Sequence, residues 1–404
     1  MLFDTIPNIA EICARKNIHN FILSPGSRCA PLSLSFLRHP EIKCRTITDE
    51  RSAAFIALGI AQQTNNPVGL VCTSGTAVLN YAPAITEAFY QGISLIVFTA
   101  DHPPEWIDQL DNQSIHQREI YEKHCLGSFE LPVDYGHPDA QWHVYRIISE
   151  AINLSRYPVK GPVHINVPLR EPLYPSKQES LNYSKDIKII DKVPVKNIIE
   201  ENIWNQLMSI WNKSEKKLVL AGMNPYNQQF SETLKKLGKN PDTVIISDIT
   251  ANIHDSQNIH YLDIIMGTGD EDIQKELAPD LLITFGGQVV SKYLKLFLRK
   301  YKPKEHWHIQ PAGIIGDTYQ SLTKIIPVEP EYFFTEILKF QQSTFTSEYS
   351  LIWARMEKKA KEMFISFTNN IEFGEFKAVD QIMKNLPENS LLQLGNSMPI
   401  RYAS

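Results

Sequence analysis

Four short clusters in the first part of the chain carry side chains fit for chemistry: Ser27-Arg28 in "SPGSR", Asp49-Glu50 in "TDER", Ser74-Gly75-Thr76 in "TSGT" and Asp101-His102 in "ADHPPE". A guanidinium grips carboxylates through its planar fork. A lone carboxylate can hold or share a proton once its surroundings favour the neutral form. Each cluster also has a plainer role. Asp49 and Glu50 suit the positive end of a helix dipole, and Arg28 suits a surface ion pair of little energetic weight. Ser74-Gly75-Thr76 suits anion binding through backbone N–H groups but lacks the GK[ST] ending of a P-loop.

What gives the clusters weight is the elements that must position them. Each follows a short apolar or β-branched run: "NFILS" (20–24), "CRTIT" (44–48), "VGLVCT" (68–73) and "SLIVFTA" (94–100), with "PVHINVP" (162–168) a further run of the same kind. Between them lie Ala-rich segments of helical length, "ERSAAFIALGIAQQ" and "AVLNYAPAITEAFYQG". Alternating strands and helices predict an α/β fold, a parallel sheet covered on both faces by helices in three layers. In such sheets ligands bind beyond the carboxyl ends of the strands. The four clusters are therefore expected along one edge.

The polar, Pro-punctuated stretch 171–197 reads as a linker after a first domain of residues 1–180. A second α/β domain, 198–342, is expected from strands "KKLVLAGM", "TVIISD", "DLLITFGG", "HWHIQP" and "KIIPVEP". Residues 345–404 read as a charged helix (346–364), a second helix, a turn and one apolar strand in "LLQLG", the incomplete opening of a further domain.

Hydrophobic residues at 43%, charged residues at 21% and a net charge of -5 describe a globular chain without the basic footprint of a nucleic-acid binder. Nucleic acid is discounted as a partner. Five cysteines without a CxxC pair fit a reducing compartment. No signal-peptide pattern opens the chain and no run reaches ~18 apolar residues, so no membrane partner is expected and the cytoplasm is. His116, His124, His254 and His260 show no metal spacing, "GTGDED" (267–272) lacks the third glycine of a dinucleotide fingerprint, and no GxSxG elbow occurs.

Taken in order, SPGSRCAPL, TDERSAAFIALGIAQ, VCTSGTAVLNYAPAITEAFYQGISLIVFTAD and HPPEWIDQLDNQSIHQ resemble the pyrimidine domain of the thiamine-diphosphate-dependent synthases of menaquinone biosynthesis. The likeness continues through "DLLITFGGQVVSKYLKLFLR" to "LLQLGNSMPIR". The resemblance implies a transferase that decarboxylates 2-oxoglutarate and adds the succinyl-semialdehyde unit to isochorismate. It implies thiamine diphosphate and Mg2+ (or Mn2+) as cofactors, and a homodimer or homotetramer with active sites at the dimer interface. Glu50 matches the glutamate that shares a proton with the cofactor's ring nitrogen N1′, and with Gly75 is implied to bind cofactor. Packing against Phe55 and Ile56 is expected to desolvate Glu50. Ser27, Arg28, His102, Gln113, Lys292, Ser397 and Arg401 match substrate-binding positions.

The chain also departs from that family. His102 stands where members commonly have arginine, which predicts a weaker, pH-dependent cationic contact, and Tyr293 follows Lys292 where some have a second basic residue. "GD" occurs at Gly269-Asp270 and Gly316-Asp317, and neither leads to the Asn of the metal motif. The resemblance then implies a C-terminally truncated chain with no metal ligands of its own, poor at holding cofactor and metal alone. Two alternatives stand beside it: another thiamine-diphosphate decarboxylase or acetolactate-type synthase, and a non-catalytic binding or regulatory remnant.

Overall fold

The computed structural model describes residues 2–175, 181–253, 259–267, 269–340 and 347–403. It divides into two compact units, Met1–Val195 and Lys196–Ser404.

In the first unit the apolar runs form β1 (Asn20–Leu23), β2 (Lys43–Thr46), β3 (Val68–Cys72), β4 (Leu95–Asp101), β5 (Ser128–Glu130) and β6 (Val163–Pro168). All pair in parallel in the order β2-β1-β3-β4-β6-β5. Residues of one strand alternate between two cores, as the pleat requires. Phe21, Leu23, Val71, Ile96 and Phe98 face α1 (Leu2–Arg15), α2 (Ala30–Leu37) and α6 (Pro138–Arg156). Ile22, Leu70, Cys72, Leu95 and Val97 face α3 (Glu50–Thr64), α4 (Thr76–Asn80) and α5 (Ala82–Gln91). The three-layer parallel α/β fold stands as expected. Strand β5 was not expected, because its three half-buried residues carry no apolar run.

The stretch read as a linker is not loose after residue 180. Ile187 is buried in the first core, Tyr183 donates to the Ser35 carbonyl at 2.8 Å, and Lys16 pairs with Asp191 at 2.6 Å. Isolated apolar residues among lysines were enough to dock the segment.

The second unit repeats the plan with β7 (Lys217–Ala221), β8 (Thr243–Ser247), β9 (Leu281–Phe285), β10 (Glu305–Ile309) and β11 (Lys324–Ile326), parallel in the order β11-β10-β9-β7-β8. One face carries α7 (Glu201–Lys213), α8 (Gln228–Leu237) and, further along the chain, the helix Pro330–Phe340. The other carries α9 (Leu262–Gly267), α10 (Glu271–Leu277) and α11 (Lys292–Lys300). With Pro330–Phe340 as α12, the charged helix is α13 (Tyr349–Asn370), which buries Tyr349, Trp353 and Met356 in that second core. It is followed by α14 (Glu375–Lys384) and α15 (Met398–Ala403).

The strand expected in "LLQLG" does not form. No neighbouring strand pairs with residues 391–395 among the described residues, and Leu391 remains 70% exposed. An apolar run without a partner for its backbone groups gains nothing from extension.

Candidate active site

The order of the first sheet reverses direction at β1, with β2 on one side and β3 on the other, the kind of switch point at which a crevice opens beyond the strand ends. Ser27 and Arg28 follow β1, Glu50 follows β2, Gly75 follows β3 and His102 follows β4. One carboxyl edge thus carries all five.

After β1 the chain turns tightly against the end of β3: a Cβ on Gly26 would lie 2.3 Å from the Thr73 Cβ. Only glycine allows that approach. The turn presents Ser27 to solvent and leaves Arg28 half-buried, its Nη1 donating to the Leu169 carbonyl beyond β6 at 3.1 Å.

Asp49, not Glu50, caps α3, accepting from the Ser52 amide at 2.7 Å, and hydrogen bonding from the Ser52 side chain first, then from that amide, holds the Asp49 carboxyl below its usual range. The cap frees Glu50 at the first helical position. Among the described residues Glu50 has no hydrogen-bond or ion-pair partner; burial first, then Cys29 and the Glu50 charge, raise the buried Cys72 thiol. The expected apolar shield is not there. Phe55 and Ile56 point outward, 44% and 39% exposed, and Glu50 itself is partly exposed, because the buried stripe of α3 is Ala53, Ala54, Ala57, Leu58 and Ala61.

Gly75 adopts φ 84° and ψ −147°, and its turn lies under the backbone of Gln113: an added Cβ would sit 3.0 Å from the Gln113 carbonyl oxygen. Gln113, itself at φ 56°, keeps its side chain exposed. Around this turn, the buried hydroxyls of Thr73, Ser74 and Ser114 have no hydrogen-bond partner, and neither has Nδ1 of His102. Buried polar atoms without partners carry a cost of about 1–3 kcal/mol each. Four of them at one sheet edge mark a place built for polar contacts from outside the fold.

Asp101 closes β4. It accepts from the His102 amide and from Asn166 Nδ2, both at 2.8 Å, and burial pushes its carboxyl up to about 6, with Glu130 adding to the rise and Arg28 opposing it. His102 is buried, its Nε2 3.5 Å from Asp111 Oδ2. Burial first, then the Arg28 charge, pushes its ring below the ordinary histidine range. The direction of the shift weakens the positive charge that His102 carries near neutral pH, where the ring is mostly neutral.

Sequence reasoning missed Gln117 and Asn166 as members of this edge, and gave Asp101 no role of its own. The available signal was a polar residue inside an otherwise apolar strand, as in "VHINVP". Gln117 is 1% exposed and accepts from the Gly75 amide at 2.8 Å.

Lys292, Ser397 and Arg401 belong to the second unit. Lys292 opens α11 beyond β9, exposed, behind a cap in which Ser291 accepts from the Leu294 amide. Ser397, at φ 75°, and Arg401 are exposed beside and on α15, which leans on α14 through the Tyr402–Phe376 ring contact. His254 lies outside the described residues. No group of three or more His, Cys, Asp or Glu is arranged for a metal ion among the described residues, and no described helix is long and apolar enough to cross a membrane.

Comparison with known proteins fits this geometry. Residues 7–122 match the family of thiamine pyrophosphate enzymes by their N-terminal TPP binding domain, and residues 189–394 match the middle domain of thiamine pyrophosphate enzymes. The chain is similar to a protein of Flavobacterium johnsoniae named 2-succinyl-5-enolpyruvyl-6-hydroxy-3-cyclohexene-1-carboxylate synthase, 41% identical over 400 residues, covering 98% of this chain and 70% of that one. Synthases of the same name from Cytophaga hutchinsonii (39% over 403 residues, 99% and 70% covered) and Porphyromonas gingivalis (36% over 401 residues, 98% and 69% covered) are similar along the same span.

Proposed function

We propose that this chain, which belongs to the 2-succinyl-5-enolpyruvyl-6-hydroxy-3-cyclohexene-1-carboxylate synthase family of thiamine pyrophosphate enzymes, uses the first-unit edge to decarboxylate 2-oxoglutarate and pass the succinyl unit to isochorismate in menaquinone biosynthesis. The observation that carries the reading is the unpartnered carboxylate of Glu50 on the same sheet edge as buried hydroxyls without partners. That donor set suits an aminopyrimidine, which offers ring nitrogens and an amino group to a carboxylate and to hydroxyls. Thiamine diphosphate, when bound, supplies the nucleophilic carbon on which the 2-oxoacid loses carbon dioxide.

The chain's own residues have separate tasks. Glu50 holds, at its carboxylate oxygen, the proton it shares with the ring nitrogen, and Gly75 keeps the turn beside it low enough for a flat ring to approach. Arg28 and Ser27 bind a substrate carboxylate, the guanidinium supplying two parallel donors. His102, neutral, offers its unpartnered Nδ1, and Gln113 offers its amide. Lys292, Ser397 and Arg401 are further substrate-binding residues, their cationic and hydroxyl groups suited to carboxylates. Mg2+ or Mn2+ would neutralise the diphosphate through its phosphate oxygens, and no group of three or more His, Cys, Asp or Glu among the described residues is arranged to hold that cation. The working protein is a homodimer or dimer of dimers in the cytoplasm. In support, Phe55, Ile56, Leu79 and Tyr90 are exposed on α3, α4 and α5, the helices on one face of the first sheet, where a second copy gains by covering them.

The test is carbon dioxide release by the full-length protein with thiamine diphosphate and Mg2+, given 2-oxoglutarate or pyruvate, with and without isochorismate. The expected result is a preference for 2-oxoglutarate and a loss of about 10²–10⁴-fold in Glu50→Gln. Equal use of pyruvate, or full activity in the Glu50→Gln protein, overturns it.

A further inference from the structure

Gln117 is buried at the centre of the strand-end edge and touches three of its segments at once. Its Oε1 accepts from the Gly75 amide at 2.8 Å. Its Nε2 donates to the Ala100 carbonyl at 3.0 Å and to Asn166 Oδ1 at 3.1 Å. Asn166 in turn donates to Asp101 Oδ2 at 2.8 Å, and Asp101 Oδ1 receives the His102 amide. The loop that brings Gln117 in also carries Gln113 and Ser114.

The orientation of the Gln117 amide is not free. A backbone N–H can only donate and a backbone carbonyl can only accept, so the group between Gly75 and Ala100 must present an acceptor to one and a donor to the other. The Asn166 oxygen it meets already faces another donor, the Thr99 hydroxyl at 3.0 Å. That hydroxyl lies 2.7 Å from Nε2 of His164, whose Nδ1 meets the Ser128 hydroxyl at 3.1 Å. Burial pushes His164 down to about 3, so the ring stays neutral, and because the Thr99 hydroxyl gives its one proton to Asn166 Oδ1, Nε2–H is the donor to Thr99. The chain of donors therefore runs one way, from Ser128 through His164 and Thr99 to Asn166.

We infer that Gln117 is a positioning residue for the reaction: its buried amide fixes, through Gly75, Asn166 and the 113–117 loop, the relative placement of the segments bearing Gly75, His102 and Gln113. The inference rests on the function proposed above. It adds that the placement is set by one side chain that reaches no substrate itself.

Gln117→Glu keeps the shape and the acceptor for Gly75 but turns the Ala100 and Asn166 contacts into acceptor against acceptor. In this variant kcat falls by about 100-fold, the scale of an ångström-sized misplacement. KM for both substrates changes little, and amide hydrogen exchange quickens at Gly75, His102 and 113–117. Gln117→Met, apolar and of similar length, carries no buried charge and is read in the same way if the glutamate variant does not fold. Normal kcat in the variant that folds overturns the inference, as does a rise in KM at unchanged kcat. The exchange measurement needs no turnover. Wild-type protein without synthase activity but with Gln117-dependent protection would sink the functional proposal and leave Gln117 as the group that fixes the edge, whereas unchanged protection in the variant sinks the inference alone.

Discussion

Arg28 Nη1 donates to the Leu169 carbonyl at 3.1 Å, so the guanidinium that follows β1 is held from beyond β6, across two intervening strands. The bond fixes a long side chain whose freedom would otherwise be lost on binding. It leaves the remaining N–H donors for a carboxylate.

Arg28→Lys is therefore expected to raise KM for a carboxylate substrate by about tenfold or more, since an ammonium reproduces the charge but not the fork. Arg28→Ala adds an independent signature. Because the Arg28 charge helps depress His102, its removal moves the His102 titration upward. Steady-state kinetics and a proton NMR titration check the two, and an unmoved His102 would show that the pair do not interact.

Gly75→Ala should destabilise the first unit by about 1–3 kcal/mol, because φ 84° with ψ −147° is a region essentially reserved for glycine. The new methyl group would also meet the Gln113 backbone at 3.0 Å. Thermal unfolding measures the loss. A variant as stable as the wild type would mean that the turn relaxes without cost.

Ile56→Asp tests the second copy. Ile56 is 39% exposed, outside the buried stripe of α3, so the charge is tolerated within the chain but not in an apolar contact. Sedimentation velocity is expected to shift from dimer to monomer with the melting of the single chain little changed. A dimer that persists at low concentration would place the contact elsewhere.

Stability should fall in acid in both units. Burial holds His164 down at about 3 and His306 down at about 4, whereas an unfolded histidine titrates near 6.5. Their contribution is complete above that value and lost as pH falls towards 4 and 3, about 3 kcal/mol for His306. Asp101 acts in the opposite sense. Raised to about 6, it contributes stability at low pH that disappears as pH rises through 6. Melting curves from pH 4 to 8 should show a shallower acid limb in His306→Gln and a weaker pH dependence around 6 in Asp101→Asn. An unchanged acid limb in His306→Gln would assign the acid loss to other groups.

The sequence by itself determined the architecture and the order of the strand-end clusters. Apolar runs such as "LIVFTAD" cannot be exposed, their spacing to Ala-rich helices permits only parallel crossovers, and whatever follows them must stand at one edge. Ser27, Arg28, Glu50, Gly75 and His102 were legible for that reason. Their states were not. That Asp49 takes the helix cap and frees Glu50, that Phe55 and Ile56 turn outward, and that His102 is neutral depend on which neighbours come within a few ångströms. Only the tertiary structure decided that Gln117, 42 residues along the chain from Gly75, would meet its amide. Local spacing carries no trace of such a bond, because a buried side-chain amide is satisfied by whichever backbone groups folding brings to it. The same limit hid the docking of 181–195 and the absence of a strand in "LLQLG", since both depend on whether a partner surface is present to receive an apolar residue.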